Sequence, residues 1–472
     1  MGHKRRVPLA TLVSVGLSLL LLTTVVSCSR RFPDVPKPNL PPDTHLYLES
    51  TRTLRTTTSQ QVLHWYGDDP DGLVVGFLYT FDVEAPVPVT WGGDTLAGVW
   101  TFTTAQSDTF GLRFISQDTT FTFRVAAVDD QSAVDPTPAM QRFPVKNTPP
   151  EVEFTLNSDV PETTFTVASF SWRGTDLDGD ETIVAYEWAL DDTSSADAWH
   201  RVPSKVTFLT LREEDGLTEG DHVFYVRAVD LSGSRSKTAR MPRTEDKIWH
   251  VRKPKSRFLL IDDYAPLDNS AAFYADLLAE LLGRFDVWDI KADRNRDNDP
   301  DLLPSSAATF TATLELFDRV LWYTDQSPTL EYAQISIPAF LQKGGKIVMS
   351  ASFPEFFSSQ GNPLEFSPVD SLGFTINRVT PGVDLLPQKV ELDTLRTSTN
   401  VFFVKTLVPK PSSLVLYRLS ESSRWQGQPV VAVENADRSF VFFGMPLHKL
   451  DGRNTVQSVL RHILEVEFGG TP

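Results

Sequence analysis

The sequence predicts a multidomain chain in which two all-β sandwich modules precede an α/β domain with a doubly wound sheet. Three observations predict this architecture. One segment pattern occurs twice, which indicates two related modules. The repeated stretches alternate apolar and polar residues, as half-buried strands do. From residue 255 onward, apolar runs alternate with amphipathic stretches, the order typical of a sheet with helices on both faces. The length of 472 residues suits about three domains.

The first 27 residues predict export. A Lys-Arg-Arg cluster at 4–6 precedes an apolar run of about 20 residues from Val7 to Val26, the pattern of a signal peptide. A run of this length also suits a retained transmembrane anchor, which is the alternative. Val25-Val26-Ser27-Cys28 resembles the bacterial lipobox, which implies cleavage before Cys28 and lipid attachment to its thiol. Ser29 follows Cys28, where an Asp would resemble an inner-membrane retention signal. The resemblance therefore favours the outer membrane, with the folded body periplasmic or surface-exposed.

Charge and cysteine content argue against several classes of function for the mature chain. Cleavage would remove three cations and take the formal charge from −17 to −20. An acidic body lacks the basic footprint of nucleic-acid binding, so we expect no nucleic-acid partner. With the single cysteine lipidated, no disulfide framework and no thiol nucleophile remain. Residues 28–43 are rich in proline and predict an extended tether.

The internal repeat defines modules at 44–148 and 149–254. Trp65–Gly72 matches Trp172–Gly179, and Phe123–Asp129 matches Phe224–Asp230. Each copy follows a proline pair, with a period of roughly 105 residues, the size of an immunoglobulin-type sandwich. The early tryptophan and the late strand resemble fibronectin type III and related bacterial Ig-like domains. The resemblance implies a seven-stranded sandwich that acts as a spacer or protein-binding module.

Acidic loops are candidate metal sites. Asp176, Asp178 and Asp180 alternate beside a glycine, and such loops can supply several of the oxygens that Ca²⁺ needs. The alternative is a polar turn in which aspartates bind their own backbone, and no other cofactor is indicated. The loop at 293–301 resembles part of an EF-hand, but Asn298 and Pro304 replace the required Gly and Glu. We therefore interpret it as a solvated loop.

Residues 255–472 predict the α/β domain. Continuous apolar runs indicate buried parallel strands, and helical periodicity predicts helices between them. After residue 366 the alternation of strands and helices stops, and strands follow one another without helices between them. A final helix is expected over 454–466. The predicted strands are 257–263, 285–290, 319–324, 346–350, 413–417, 430–433 and 440–444, and the first three helices are 271–282, 311–317 and 330–341.

This order resembles the class I glutamine amidotransferase-like superfamily, in the branch close to trehalose-utilisation-type domains. The resemblance rests on the segments Leu260–Asp263, Phe285–Asp289, Leu321–Asp325, Gly344–Ser350 and Phe442–His448. Active members of the family place a cysteine on the turn after the fourth strand. Here that turn reads Ser350-Ala351-Ser352-Phe353, so the resemblance implies a domain without amidotransferase activity, and no enzyme is expected.

A serine hydrolase is the alternative. Ser350 or Ser352 would be the nucleophile, His448 the base and Asp451 the acid. The strained nucleophile turn of such enzymes has the pattern G-x-S-x-G because it needs small neighbours. Both glycines are missing here, and Ser350 then simply ends a strand.

The carboxyl edge of the sheet is the predicted binding crevice. Asp262, Asp263, Asp325, Ser350 and His448 all follow or end predicted strands, and doubly wound folds bind ligands at this edge. A cation or a sugar is the expected ligand class. The prediction is a lipid-anchored envelope protein that binds or scaffolds, with an envelope protein or a glycan as partner. Surface glycan binding through exposed tryptophans is a further alternative, with the candidates Trp91, Trp100, Trp199 and Trp425.

Overall fold

The computed structural model describes residues 37–47, 60–84, 86–91, 99–111, 118–291, 303–357 and 362–469. The predicted signal peptide, Cys28, most of the tether and the loop at 293–301 lie outside these residues. The chain forms two compact units, residues 1–146 and 147–472. Within the described ranges, no helix is both long and apolar enough to cross a bilayer.

The first unit contains a two-sheet β-sandwich. One sheet has the order β1-β2-β5 and the other β4-β3-β6-β7, with all neighbours antiparallel. Three plus four strands is the seven-stranded arrangement that the repeat predicts. The strands are β1 Asp43–Tyr47, β2 Gln60–Asp68, β3 Val74–Phe81, β4 Thr101–Thr103, β5 Ser107–Gly111, β6 Asp118–Asp129 and β7 Ala139–Lys146.

The tryptophan shared by both repeats is the centre of the module core. Trp65 is fully buried, and its ring lies 5.7 Å from that of Phe123 and 6.3 Å from that of Phe77. Its indole nitrogen donates to the Ala105 carbonyl at 2.9 Å. Burying so large a ring with its N–H paired favours one register of the two sheets. The equivalent Trp172 is also buried, in the core of the second module.

The second module has the same two sheets, β13-β10-β8 and β12-β11-β15-β16, and adds a small sheet β14-β17-β9. In this added sheet β17 runs parallel to β9. The strands are β8 Glu151–Phe154, β9 Thr163–Phe165, β10 Val167–Thr175, β11 Ile183–Leu190, β12 His200–Pro203, β13 Phe208–Arg212, β14 Gly220–Asp221, β15 Phe224–Asp230, β16 Ala239–Met241 and β17 His250–Arg252.

The domain after β17, called here the head, has a nine-stranded mixed sheet in the order β19-β18-β20-β21-β28-β27-β26-β23-β24. The first five strands of this order are parallel and the rest antiparallel. Two further strands, β22 Val369–Val379 and β25 Val401–Pro409, form a separate antiparallel sheet. The strands of the nine-stranded sheet are β18 Phe258–Asp263, β19 Asp286–Asp289, β20 Arg319–Thr324, β21 Lys346–Ser350, β23 Asp384–Pro387, β24 Leu395–Arg396, β26 Leu414–Leu419, β27 Val430–Glu434 and β28 Phe440–Phe443.

Helices cover both faces of the parallel strands. Leu260 of β18 packs in one hydrophobic cluster with α1 and α4 residues, and its neighbour Leu259 packs in the other with α2 and α3 residues. This follows from strand geometry, because successive side chains point to opposite faces. Ser306 caps α2 by accepting from the Thr309 amide, so α2 begins earlier than predicted. The helices are α1 Ser270–Leu282, α2 Ala307–Leu314, α3 Leu330–Gln342 and α4 Val456–His462.

The second module packs directly against the head. Phe165 of β9 is buried in the same hydrophobic cluster as the inner residues of α2 and α3, with its ring 5.2 Å from Phe317 and 6.2 Å from Trp288. The Ser169 amide of β10 donates to the Thr309 hydroxyl at 2.8 Å. These contacts explain why residues 147–472 form one compact unit.

Candidate functional site

The carboxyl ends of β18, β20 and β21 place several polar residues at one edge of the head. Two cavities of about 500 and 250 Å³ lie there, and both are lined by the Tyr264–Pro266 loop and by Asp268. Ligand sites in doubly wound sheets are found at this edge. The larger cavity is also lined by Asp325, Gln326, Ser327, Ser352, Val401, Phe402, Pro446 and Lys449.

Asp263 lies in a buried ion-pair network. It is fully buried, and Lys291 Nζ lies 3.0 Å from its Oδ1 and 2.8 Å from Asp325 Oδ1. Asp263 also accepts from the Thr329 amide and hydroxyl and from the Trp322 indole. Burial raises the pKa of Asp263, and the Lys291 ammonium opposes that rise. The predicted crevice residues Asp263 and Asp325 therefore lie close together, and both carboxylates form ion pairs with Lys291.

Asp262 faces the opposite side of β18, as strand alternation requires. Its carboxyl lines the smaller cavity and accepts from the Tyr264 amide at 3.1 Å. Burial raises the pKa of Asp262 to about 7, and the neighbouring Asp289 carboxylate adds to the rise. The raised pKa favours the protonated form of this carboxyl below neutral pH, and that form can donate as well as accept a hydrogen bond.

His448 lies at the same edge without a hydrogen-bond partner on either ring nitrogen. Its Nε2 is 3.6 Å from Asp268 Oδ2, and the rings of Tyr264 and Tyr274 lie 5.3 and 5.8 Å from its own. Burial lowers the pKa of His448 to about 4, although Asp268 favours the charged form. The imidazole is therefore neutral at physiological pH.

The candidate residues of the hydrolase alternative do not form a hydrogen-bonded triad in this structure. Ser350 is fully buried, its hydroxyl donates to the Met445 carbonyl at 3.2 Å and it accepts from the Leu447 amide at 3.0 Å. Asp451 accepts from the Val456 amide and so caps α4. Because neither ring nitrogen of His448 is hydrogen-bonded, this histidine is paired with neither residue. Ser352 lines the larger cavity, with its amide donating to the Thr324 hydroxyl.

Three important residues of the edge were not predicted. Lys291 follows β19, and Tyr264 and Asp268 lie in the loop after β18. The Tyr264 hydroxyl donates to Asp268 Oδ2 at 2.7 Å, which closes this loop between the two cavities. Lys291 directly follows a predicted parallel strand, and this position alone could have placed it at the carboxyl edge of the sheet.

The candidate metal residues of the second module bind backbone and hydroxyl donors. Asp176 accepts from the Asp178 amide and the Thr182 hydroxyl, both at 2.9 Å. Asp180 accepts from the Asp176 amide at 3.0 Å. Burial raises the pKa of Asp176. In the described part of the chain, no three acidic, His or Cys side chains are grouped as metal ligands. The geometry is that of the polar turn, and calcium binding stays a prediction.

Asp178 has a second role that the repeat reproduces. Its Oδ2 accepts from the Thr148 amide at 2.7 Å, while Asn147 Nδ2 donates to Asp230 Oδ2 at 2.6 Å. The first module holds its own Asn-x-Pro-Pro segment in the same way. We call this arrangement the Asn-x-Pro-Pro latch, and its first copy consists of Leu40 with Asp71 and Asn39 with Asp129.

The four candidate tryptophans for glycan stacking divide into two groups. Trp100 and Trp425 are buried in hydrophobic clusters. Trp199 is partly exposed, with the Arg227 guanidinium 3.7 Å above its ring. Trp91 is partly exposed and stacks on Phe102 at 5.3 Å. Two of the four are therefore core residues.

No family model matches the chain, and no curated protein matches it. Solved structures of fibronectin type III modules are similar to part of it. The fibronectin(III)-like modules of Clostridium thermocellum CbhA match with 13% identity over 44% of this chain and 95% of theirs, at a TM-score of 0.19. The FN1–FN3 domains of chicken CNTN1 match with 14% identity over 46% of this chain and 68% of theirs, also at 0.19. Because these TM-scores are low, the assignment of the two modules as β-sandwiches rests on the strand order described above.

Proposed function

We propose that this chain is a lipid-anchored protein of the bacterial cell envelope that binds a ligand in the crevice of its head. Cys28 would carry the lipid, the proline-rich segment would act as the tether and the two sandwich modules as the stalk. The head would be an amidotransferase-like domain without catalysis. The parallel strand order β19-β18-β20-β21-β28 supports that assignment, because it is the order of flavodoxin-like doubly wound folds.

One observation carries the binding proposal. A cavity of about 500 Å³ opens at the carboxyl edge of the sheet, while the nucleophile candidate Ser350 and the acid candidate Asp451 are engaged in structural hydrogen bonds. That volume lies in the range of small-molecule sites. The space and the polar groups at this edge, together with these two structural hydrogen bonds, support binding over catalysis through Ser350.

The lining favours a hydroxyl-rich ligand such as a saccharide. Phe402 is 50% exposed at the cavity and offers an apolar ring face, and Tyr264 lines the cavity as well. Asp268, Asp325 and Lys449 supply acceptors and a donor around them. An apolar platform surrounded by a few placed polar groups is the usual composition of a small-molecule site.

A glycan array followed by titration of the best ligand tests this proposal. We expect Phe402→Ala to weaken binding at least tenfold, whereas Phe374→Ala, an equally exposed phenylalanine outside the cavity, should leave it unchanged. Equal weakening by both variants, or no weakening by Phe402→Ala, would contradict the crevice as the site. Turnover of an ester or glycoside that is lost in His448→Ala would favour the hydrolase alternative through Ser352.

The anchor has an independent test. In bacteria fed an alkyne-bearing palmitate, the wild-type chain should become labelled and sediment with membranes. Cys28→Ala should lose the label, because the chain has no second thiol. A labelled Cys28→Ala variant would refute the lipobox interpretation.

A further inference from the structure

We propose that the free edge of β22 binds an extended acidic peptide of a partner protein by strand addition. This groove is separate from the crevice at the carboxyl edge, and none of its lining residues lines the two cavities there. The proposal therefore stands or falls independently of the ligand proposed above.

β22 has one unpaired side. Among the described strands it pairs with β25 alone, so one row of its backbone N–H and C=O groups has no neighbour in that part of the chain. Register shifts are confined to its first half, between Val369 and Thr375, and pairing is regular from Thr375 to Val379. A long, regular and unpaired edge is a template for another strand.

A groove follows this edge. Its lining comprises five consecutive residues of β22, from Phe374 to Arg378, and the opposite wall is the segment Arg424–Gln426. Because successive side chains of a strand point to opposite faces, a groove that meets five in a row runs along the backbone edge. No residue of β25 lines it, which places the groove on the unpaired side.

The dimensions suit a short strand. Five residues of β22 rise about 17 Å, which is the usual length of a strand in a sheet. The groove encloses about 570 Å³ and is open to solvent. Phe374 is 51% exposed along it, so apolar area is available for alternate side chains of an added strand.

Charge identifies the kind of peptide. The groove is lined by the two arginines Arg378 and Arg424 and by no acidic residue, on a chain with a net charge of −17. Among the described residues, neither arginine lies within ion-pair distance of a carboxylate. Arg424 donates one hydrogen bond, to the Thr380 hydroxyl at 3.1 Å, which leaves most of its donors for a ligand. Guanidinium groups bind carboxylates through paired hydrogen bonds, so an acidic peptide is the complementary partner.

The same charges disfavour a second copy of this chain as the occupant. Antiparallel pairing of two β22 edges would bring the arginines of both copies into one groove. Like charges placed opposite each other across paired strands are destabilising. The geometry therefore favours a partner of opposite charge over self-association.

Fluorescence anisotropy with labelled eight-residue peptides tests the proposal on the full chain. A peptide that alternates Glu and Val should bind. A Lys-Val peptide should bind at least tenfold more weakly. A Glu-Val peptide N-methylated at alternate amides should also lose at least tenfold, because methylation removes strand hydrogen bonds without changing the charge. Raising the salt concentration should weaken the binding of the acidic peptide.

The double variant Arg378→Glu/Arg424→Glu should lower the affinity for the acidic peptide at least tenfold. The double variant Arg284→Glu/Arg461→Glu, at two exposed positions outside the groove, is the charge-matched control. Phe402→Ala should leave peptide binding unchanged. Unchanged far-UV circular dichroism and melting would show that the variants fold. Equal binding of methylated and unmodified peptides, or unchanged affinity in the double variant, would overturn the proposal. Self-association that the double variant abolishes would overturn it as well, in favour of a second copy.

Discussion

At the scale of single residues, the crevice carries less charge than its sequence suggests. Burial raises the pKa of Asp262 to about 7 and lowers that of His448 to about 4, so Asp262 favours its neutral form below about pH 7 and His448 favours its neutral form above about pH 4. Asp263 and Asp325 share the Lys291 ammonium. Burial therefore favours the neutral form of Asp262 and His448, whereas Asp263 and Asp325 together carry one formal negative charge more than Lys291 balances.

Asp262→Asn should stabilise the protein at alkaline pH. The raised pKa means that the folded state holds a proton that the unfolded state releases above about 4. The stability this provides is fully present below that pH and is lost as pH rises through about 7. The free energy of unfolding of the variant minus that of the wild type should therefore increase between pH 4 and pH 8, by up to about 4 kcal/mol. Urea titrations at both pH values measure this, and an equal difference at both would contradict it.

Lys291→Met should be strongly destabilising. The variant leaves Asp263 buried without its cation, and breaking a buried pair by removing one partner costs about 3–5 kcal/mol. Lys253→Met is the matched control, because Lys253 pairs with Glu213 at 2.7 Å and the two side chains are 57% and 52% exposed. A pair that is exposed at both ends contributes about 1 kcal/mol or less. Denaturant midpoints of the two variants should differ accordingly. Similar midpoints would show that the Lys291 network is not a stabilising contact.

At the scale of elements, each module begins with a segment that its own aspartates hold. In the second copy of the Asn-x-Pro-Pro latch, Asp178 is 2% exposed where it accepts from Thr148. In the first copy, Asp71 accepts from the Leu40 amide at 3.2 Å in an exposed setting. The two copies therefore have the same contacts but different burial, and burial decides the energetic cost of losing them.

Asp178→Ala should destabilise its module more than Asp71→Ala does. Loss of a buried acceptor leaves the Thr148 amide unsatisfied, at a cost of about 1–3 kcal/mol, whereas water replaces the exposed acceptor at little cost. Thermal melts of both variants measure the difference, and a larger loss for Asp71→Ala would contradict the assignment. The same melts with and without a chelator test the predicted calcium site, which requires a shift in the melting temperature.

At the scale of the whole molecule, the second module and the head are one structural unit. Phe165 belongs to the module by sequence but packs among head residues, and Arg212 of β13 pairs with Glu315 at 3.2 Å. The head therefore begins, in physical terms, before the change of sequence pattern near residue 255.

Phe165→Ala should lower the stability of residues 147–472 as a whole. Removing a fully buried phenylalanine costs about 3–5 kcal/mol, and the loss should appear as one shifted transition when unfolding is followed both by tryptophan fluorescence and by circular dichroism. Phe208→Ala, at a 49% exposed position of the same module, should have little effect. Separate transitions for module and head would contradict a single cooperative unit.

Local patterns predicted the parallel strands of the head and the strands that carry the repeat, but they did not predict β22, β23 and β25. Trp65 and Trp172 identified both sandwiches, and the apolar run ending at Asp263 identified the first parallel strand, because burial and strand period act over a few residues. The pairing of Lys291 with Asp263, the separate hydrogen bonds of Ser350 and Asp451, and the packing of Phe165 in the head depend on positions far apart in sequence. These contacts cannot be predicted from the residues that neighbour each position in the sequence.

The Asn-x-Pro-Pro latch makes each module a unit of duplication. The residues that precede a sandwich, 39–40 or 147–148, are bound by aspartates of that same sandwich. A gene segment running from one such asparagine to the next thus encodes a module together with its own leading linker. Copies of the first such segment can be gained or lost during evolution with every latch preserved, whereas the second module stays with the head because Phe165 packs among head residues.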